Sequence, residues 1–136
     1  MQVGNVMQTT VVTVTPETSL AEAQRVMHEK RIRHLPVVSG KKLVGIITDR
    51  DIREAVPSAA TTLSRGEIAY QMDNTTVKSC MTKAVITISP EMELAQGARM
   101  LLEHKFGCLP VVERGALVGI VTEIDFLRAF LAVGTA

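Results

Sequence analysis

"LVGIITDRDI" at residues 43–52 returns as "LVGIVTEIDF" at 117–126. Each stretch runs from apolar residues through a glycine to a threonine, then to an aspartate three places on, at Thr48 and Asp51 and again at Thr122 and Asp125. Working outward from this pair, residues 3–56 slide onto 77–130 at a constant offset of 74 without a gap, and 21 of the 54 pairs are identical. Met7 meets Met81, "TPETSLAEA" meets "SPEMELAQG", and "LPVV" at 35–38 meets "LPVV" at 109–112. The chain is therefore two copies of one unit.

Each copy has the same local order. The β-branched runs "VVTVT" (11–15) and "VITIS" (85–89), closed by Pro16 and Pro90, predict short strands. Ser19 with Glu22 resembles a capping box, and Leu20, Ala23, Val26 and Met27 give a helical apolar face to about residue 30; Leu94, Ala98 and Leu101 repeat it. "LPVV" and "LVGII" read as buried strands joined by "SGKK", and their counterparts are joined by "ERGA", with Gly40 and Gly115 suited to tight hairpins. A helix should follow each Thr-x-x-Asp. The fold expected is α+β, two β-α-β-β-α units over 1–56 and 77–136, with a connector over 57–76 in which Ser64, Glu67, Ile68 and Met72 predict a helix of about two turns. A unit this small buries little surface alone. The two should pack face to face through their sheets about a pseudo-two-fold axis, with a cleft between the copies.

Composition narrows the function. With 15 basic and 14 acidic side chains the net charge is +1, which gives no general attraction to nucleic acid or anionic lipid. One Tyr, three Phe and no Trp provide no base-stacking platform. No apolar run approaches the roughly 20 residues of a membrane span, and no basic-then-apolar signal opens the chain, so the expected place is the cytoplasm. Cys80 and Cys108 lack metal-site spacing and read as small apolar fillers, while His28 and His104 fall outside the repeated positions and read as surface or rim residues. No nucleophile–base pair, paired carboxylate or metal cluster is visible, which argues against an enzyme.

The repeated Thr-x-x-Asp admits two roles. Thr48 and Thr122 can be helix N-caps with Asp51 and Asp125 reaching back, a purely structural use. A carboxylate fixed at a helix start can also accept both vicinal hydroxyls of a ribose, with the Thr hydroxyl and nearby N–H groups donating to ribose or phosphate oxygens.

The tandem unit, the "LPVV" strand and the Gly-apolar-apolar-Thr-x-x-Asp ending resemble the cystathionine-β-synthase (CBS) domain family over about 110 residues. The "AVPSAATTLS" connector and the "DFLRAFL" ending further resemble two-CBS proteins grouped with acetoin-utilisation regulators. The resemblance implies a regulatory sensor, with no cofactor required, that binds AMP, ADP, ATP or S-adenosylmethionine in the cleft and signals to an effector protein. Asp51 and Asp125 would hold the ribose, with Thr48 and Thr122 beside ribose or phosphate. Adenine would lie against Val12, Ile32 and His34 in one copy and Ile86, Phe106 and Cys108 in the other, its edge read by main-chain groups; for the apolar ones among these, core packing alone is the favoured role. Arg33 and His34 would reach the phosphate of a ligand in the adjoining unit, where the second copy has Gly107 and Cys108, and Arg50 could supply further charge. A homodimer through the helix faces carrying Ile52 and Phe126 is expected. The competing function is a dimerisation or docking scaffold without ligand.

Overall fold

The computed structural model describes residues 1–56 and 63–134. Five α-helices and four strands are present among them: α1 (Leu20–Lys30), β1 (His34–Ser39), β2 (Lys42–Thr48), α2 (Asp49–Ala55), α3 (Arg65–Asn74), α4 (Leu94–His104), β3 (Cys108–Glu113), β4 (Ala116–Thr122) and α5 (Glu123–Gly134). The helix expected in the connector is α3, capped by Ser64 and Glu67; residues 57–62 of that connector lie outside the described residues.

The compact units do not follow the repeat boundaries. One comprises residues 12–85, and the other joins 1–11 to 86–136. The opening segment of each sequence copy is thus built into the unit that contains the other copy's hairpin. Backbone pairing explains this: Thr82 exchanges two hydrogen bonds with Ile46 (2.9 and 3.0 Å), and Gln8 does the same with Ile120 (2.9 and 3.0 Å). The glycine of each "LVGI" run makes the approach possible. A Cβ on Gly45 would lie 2.6 Å from Met81 Sδ and 3.0 Å from the Thr82 carbonyl oxygen, and one on Gly119 would lie 2.7 Å from Met7 Sδ and 2.9 Å from that of Gln8.

Each hairpin is antiparallel with a two-residue turn. Gly40 alone is left-handed in the first turn (φ 65°), the pattern of a II′ turn, whereas Arg114 and Gly115 are both left-handed in the second (φ 53° and 81°), the pattern of I′. The glycine moves one place between copies because the turn type changes.

The predicted strands at 11–15 and 85–89 reduce to single parallel bridges, Val14 to Val37 and Ile88 to Val111. Val14 N–H donates to the Pro36 carbonyl (3.1 Å) and its carbonyl accepts from Val38 N–H (2.9 Å). Extension one way needs an N–H from Pro36, and the other way one from Pro16; proline has neither. Pro110 and Pro90 stop the second copy's ladder identically.

In the unit of 12–85, Leu20, Ala23 and Met27 of α1 pack on Leu35, Val37 and Ile47 of the hairpin, closed by Ile52 of α2 and Met72 of α3. The other unit buries Val3, Ile88, Leu101, Leu109, Val111 and Val121, with Phe106 and Phe126 against them. Ile52 is 2% exposed, and Phe126 is half-buried with its ring against Gly97. The large apolar side chains left exposed on α5, the helix that carries Phe126, are Ile124, Leu127, Phe130, Leu131 and Val133.

Candidate functional site

Both aspartates cap helices, and they do so differently. Thr48 Oγ1 accepts from Asp51 N–H at 3.1 Å, and Asp51 Oδ2 accepts from Thr48 N–H at 2.9 Å, a reciprocal capping box at the start of α2. Asp51 Oδ1 has no hydrogen bond among the described residues. Asp125 is only 6% exposed and is more fully engaged. Its Oδ2 accepts from Thr122 N–H (2.8 Å) and from the Thr122 hydroxyl (3.1 Å), and the Gln8 amide donates toward both carboxylate oxygens at 3.2 Å. Sequence reasoning missed Gln8. The signal was the mismatch of Gln8 with Thr82 at the offset of 74.

Around each turn the structure gathers the expected neighbours within one unit. His34 pairs with Thr48 across the β1–β2 ladder, and the Arg33 carbonyl accepts from Asp49 N–H at 3.1 Å, which sets the 32–34 segment against the start of α2. The parallel bridge of Val14 to Val37 carries Val12 toward the His34 end of β1. Val12 and Ile32 are half-buried against the core, so one face of each is accessible. In the other unit Cys108 pairs with Thr122, and the bridge of Ile88 to Val111 brings Ile86 toward Cys108.

The peptide groups of Val12 and Ile86 make no hydrogen bond among the described residues; for their carbonyls the reason is that Pro36 and Pro110 have no N–H to give. Each unit therefore presents a bare donor and acceptor beside an apolar wall and a fixed carboxylate. That combination suits a flat heterocycle attached to a diol.

Other candidates are placed less favourably. Cys108 is 5% exposed and burial pushes its thiol up to about 12, so it is a protonated core side chain, and only its main chain could face a ligand. Ile86 is 38% exposed. Phe106 stacks on His104 with ring centroids 5.2 Å apart and planes at 12°. His28 and His104 are exposed, as read. The Arg50 guanidinium pairs with Glu54 at 3.2 Å on the exposed side of α2. Arg33 is exposed and lines an open groove of about 610 Å³ with His28, Arg31, Asp49 and Arg53. Neither Thr48 nor Asp51 lines this groove, which opens on the face of α2 formed by Asp49, Ile52 and Arg53. The described residues contain no group of three or more His, Cys, Asp or Glu able to hold a metal ion, and no helix among them is long and apolar enough to cross a membrane.

The sequence pattern of the CBS domain matches residues 3–58 and 77–132. The chain belongs to the CBS domain family. The CBS pair also matches solved structures along nearly its whole length. A crystal structure assigned to acetoin utilization (AcuB) from Vibrio cholerae is 31% identical, with a TM-score of 0.83 over 99% of this chain and 93% of that one. CBSX2 in complex with AMP is 31% identical, TM-score 0.83, over 97% of each chain. The CBS domain pair of protein MJ0100, in complex with 5-methylthioadenosine and S-adenosyl-L-methionine, is 28% identical, TM-score 0.80, over 98% of each. Among curated relatives, inosine-5'-monophosphate dehydrogenase of Korarchaeum cryptofilum is 40% identical over 116 residues, 85% of this chain and 21% of that protein. The chain spans 21%, 43% and 23% of the first three curated relatives it matches, so their named activities belong to proteins much longer than the shared CBS region.

Proposed function

We propose that this CBS pair is a regulatory module of the cytoplasm that binds an adenosine-containing ligand, AMP, ADP, ATP or S-adenosylmethionine, and senses it without turnover. Asp51 and Asp125 take the ribose hydroxyls, Thr48 and Thr122 stand beside ribose or phosphate, and the adenine edge meets the main chain of Val12 and Ile86. Ile32, His34, Phe106 and Cys108 complete the walls, and Arg33 with His34 supplies charge for a phosphate. The observation that carries this reading is the unbonded peptide group at Val12 and Ile86, its carbonyl left open in both units by a proline of the strand that pairs with the one ending in Thr-x-x-Asp. AMP in CBSX2, and 5-methylthioadenosine and S-adenosyl-L-methionine in MJ0100, support the ligand class. Occupancy would bias the conformational balance of the pair and so reach an effector protein.

The same reading includes a homodimer. Ile124, Leu127, Phe130 and Leu131 form an exposed apolar stripe along α5, and a second copy would cover it. That stripe also favours the scaffold reading, in which both aspartates serve only as caps. A thermal-shift panel of AMP, ADP, ATP, S-adenosylmethionine and NAD separates the two: a ligand at a hundred times its Kd stabilises the folded state by about 2.7 kcal/mol, a shift of several degrees. A flat response to every adenosine compound leaves the scaffold.

A further inference from the structure

We infer that Gln8 is an internal competitor for the second ribose site, so that the Asp125 turn binds its ligand more weakly than the Asp51 turn; the inference rests on the ribose-binding reading above. Gln8 and Thr82 occupy equivalent positions, and their backbones are held alike, each by a two-bond bridge to the isoleucine that follows the strand glycine, Ile120 or Ile46. Only the side chains differ. The Gln8 amide spans to Asp125 and donates toward both oxygens, whereas Thr82 is shorter and makes no bond to Asp51.

An ionised carboxylate offers about four lone-pair sites. Thr122 N–H, the Thr122 hydroxyl and the Gln8 amide contact Asp125 four times, three of them at Oδ2. A vicinal diol needs two acceptors, and they become available only when the Gln8 amide leaves. Asp51 gives one contact to Thr48 N–H and keeps its Oδ1 open. Gln8 is exposed, so its displaced amide returns to water, and the cost is the net value of one hydrogen bond to a charged acceptor, discounted for that rehydration. The contrast between the sites is therefore a specificity device written in one side-chain length.

Calorimetry with AMP tests this in proteins reduced to one site. In an Asp51→Ala background, Gln8→Thr should tighten AMP binding about threefold to tenfold. The converse substitution, Thr82→Gln in an Asp125→Ala background, should weaken the remaining site by a similar factor. Thr82 is exposed, so this arm does not depend on how the protein tolerates loss of the Gln8 contact. An unchanged or weakened affinity in Gln8→Thr, with Thr82→Gln also without effect, overturns the competitor role while leaving the ribose reading in place. If neither single-site background binds AMP and the parent does not either, the ribose reading itself falls and takes the competitor with it.

Discussion

Asp51→Ala and Asp125→Ala should separate stability from binding in opposite directions, although the two residues are equivalent in sequence. In the ligand-free protein Asp51 answers one donor, Thr48 N–H at 2.9 Å, in a half-buried capping box. Its loss costs about 1 kcal/mol, the usual value of an N-terminal cap interaction. Asp125, 6% exposed, answers three donor groups: Thr122 N–H, the Thr122 hydroxyl and the Gln8 amide. Removing it leaves Thr122 N–H facing a low-dielectric site without its acceptor and frees the 1–11 segment from one tether, so the loss should be about 3 kcal/mol. For AMP the order reverses at the tighter site. Asp51→Ala should lose about 1.5–3 kcal/mol of binding, roughly tenfold to 150-fold in Kd, because a charged acceptor for the ribose hydroxyls is gone. Urea unfolding without ligand, followed by calorimetry with AMP and 2′-deoxy-AMP, measures both quantities. At the Asp51 site the deoxy analogue should lose part of the same energy on the parent and nothing further on Asp51→Ala, while the Asp125 site still distinguishes the two nucleotides. Equal destabilisation by the two variants refutes the donor count, and parent-like AMP affinity in Asp51→Ala refutes the ribose role and leaves Asp51 as a cap.

Two further outcomes follow from packing. Gly119→Ala should cost about 2–5 kcal/mol, since its Cβ would sit 2.9 Å from the Gln8 carbonyl oxygen and would force apart a bridge of two backbone hydrogen bonds; urea midpoints measure the loss, and a neutral effect would show that residues 1–11 are not held there. Phe130→Glu should convert a homodimer to a monomer in light scattering at tens of micromolar with folding intact, because Phe130 is 71% exposed on α5 and contributes nothing to the buried core; a monomeric parent removes the dimer.

The repeat made most of the architecture legible, because 21 identities at one offset fix which residues are equivalent before any element is assigned. Caps at Ser19, Thr48 and Ser64 were readable for a local reason: donor and acceptor are three residues apart. What was not readable depends on separation. The contact of Gln8 with Asp125 spans 117 residues, and no local pattern announces it. Residues 1–11 look like the start of the first copy, yet the close approach at Gly119 and the two-bond bridge of Gln8 to Ile120 place them with the second. The prolines of "LPVV" were visible, but their consequence depends on which strand lies alongside. Only with Val14 beside Val37 does the missing N–H of Pro36 become an unbonded carbonyl at Val12.

Small and large residues trade places between the copies in the same hidden way. Ala23 in α1 corresponds to Gly97 in α4, and Ile52 in α2 to Phe126 in α5. A Cβ at Gly97 would come within 3.1 Å of Phe126 Cζ, so the second copy gives up a methyl group where it gains a ring. Read singly, Gly97 is a defect in a helix, worth about 1 kcal/mol against alanine. Read with Phe126 it is the space that the ring requires, and the pair keeps the volume between helix and helix nearly constant. The same logic governs the site. Conserving the backbone bridge while exchanging Thr82 for Gln8 changes no element of the fold, yet only Gln8 reaches the aspartate of its turn. A duplicated unit thus keeps its architecture through the 21 pairs that match, while positions that do not match, Gln8 and Thr82 among them, give its two Thr-x-x-Asp turns different surroundings.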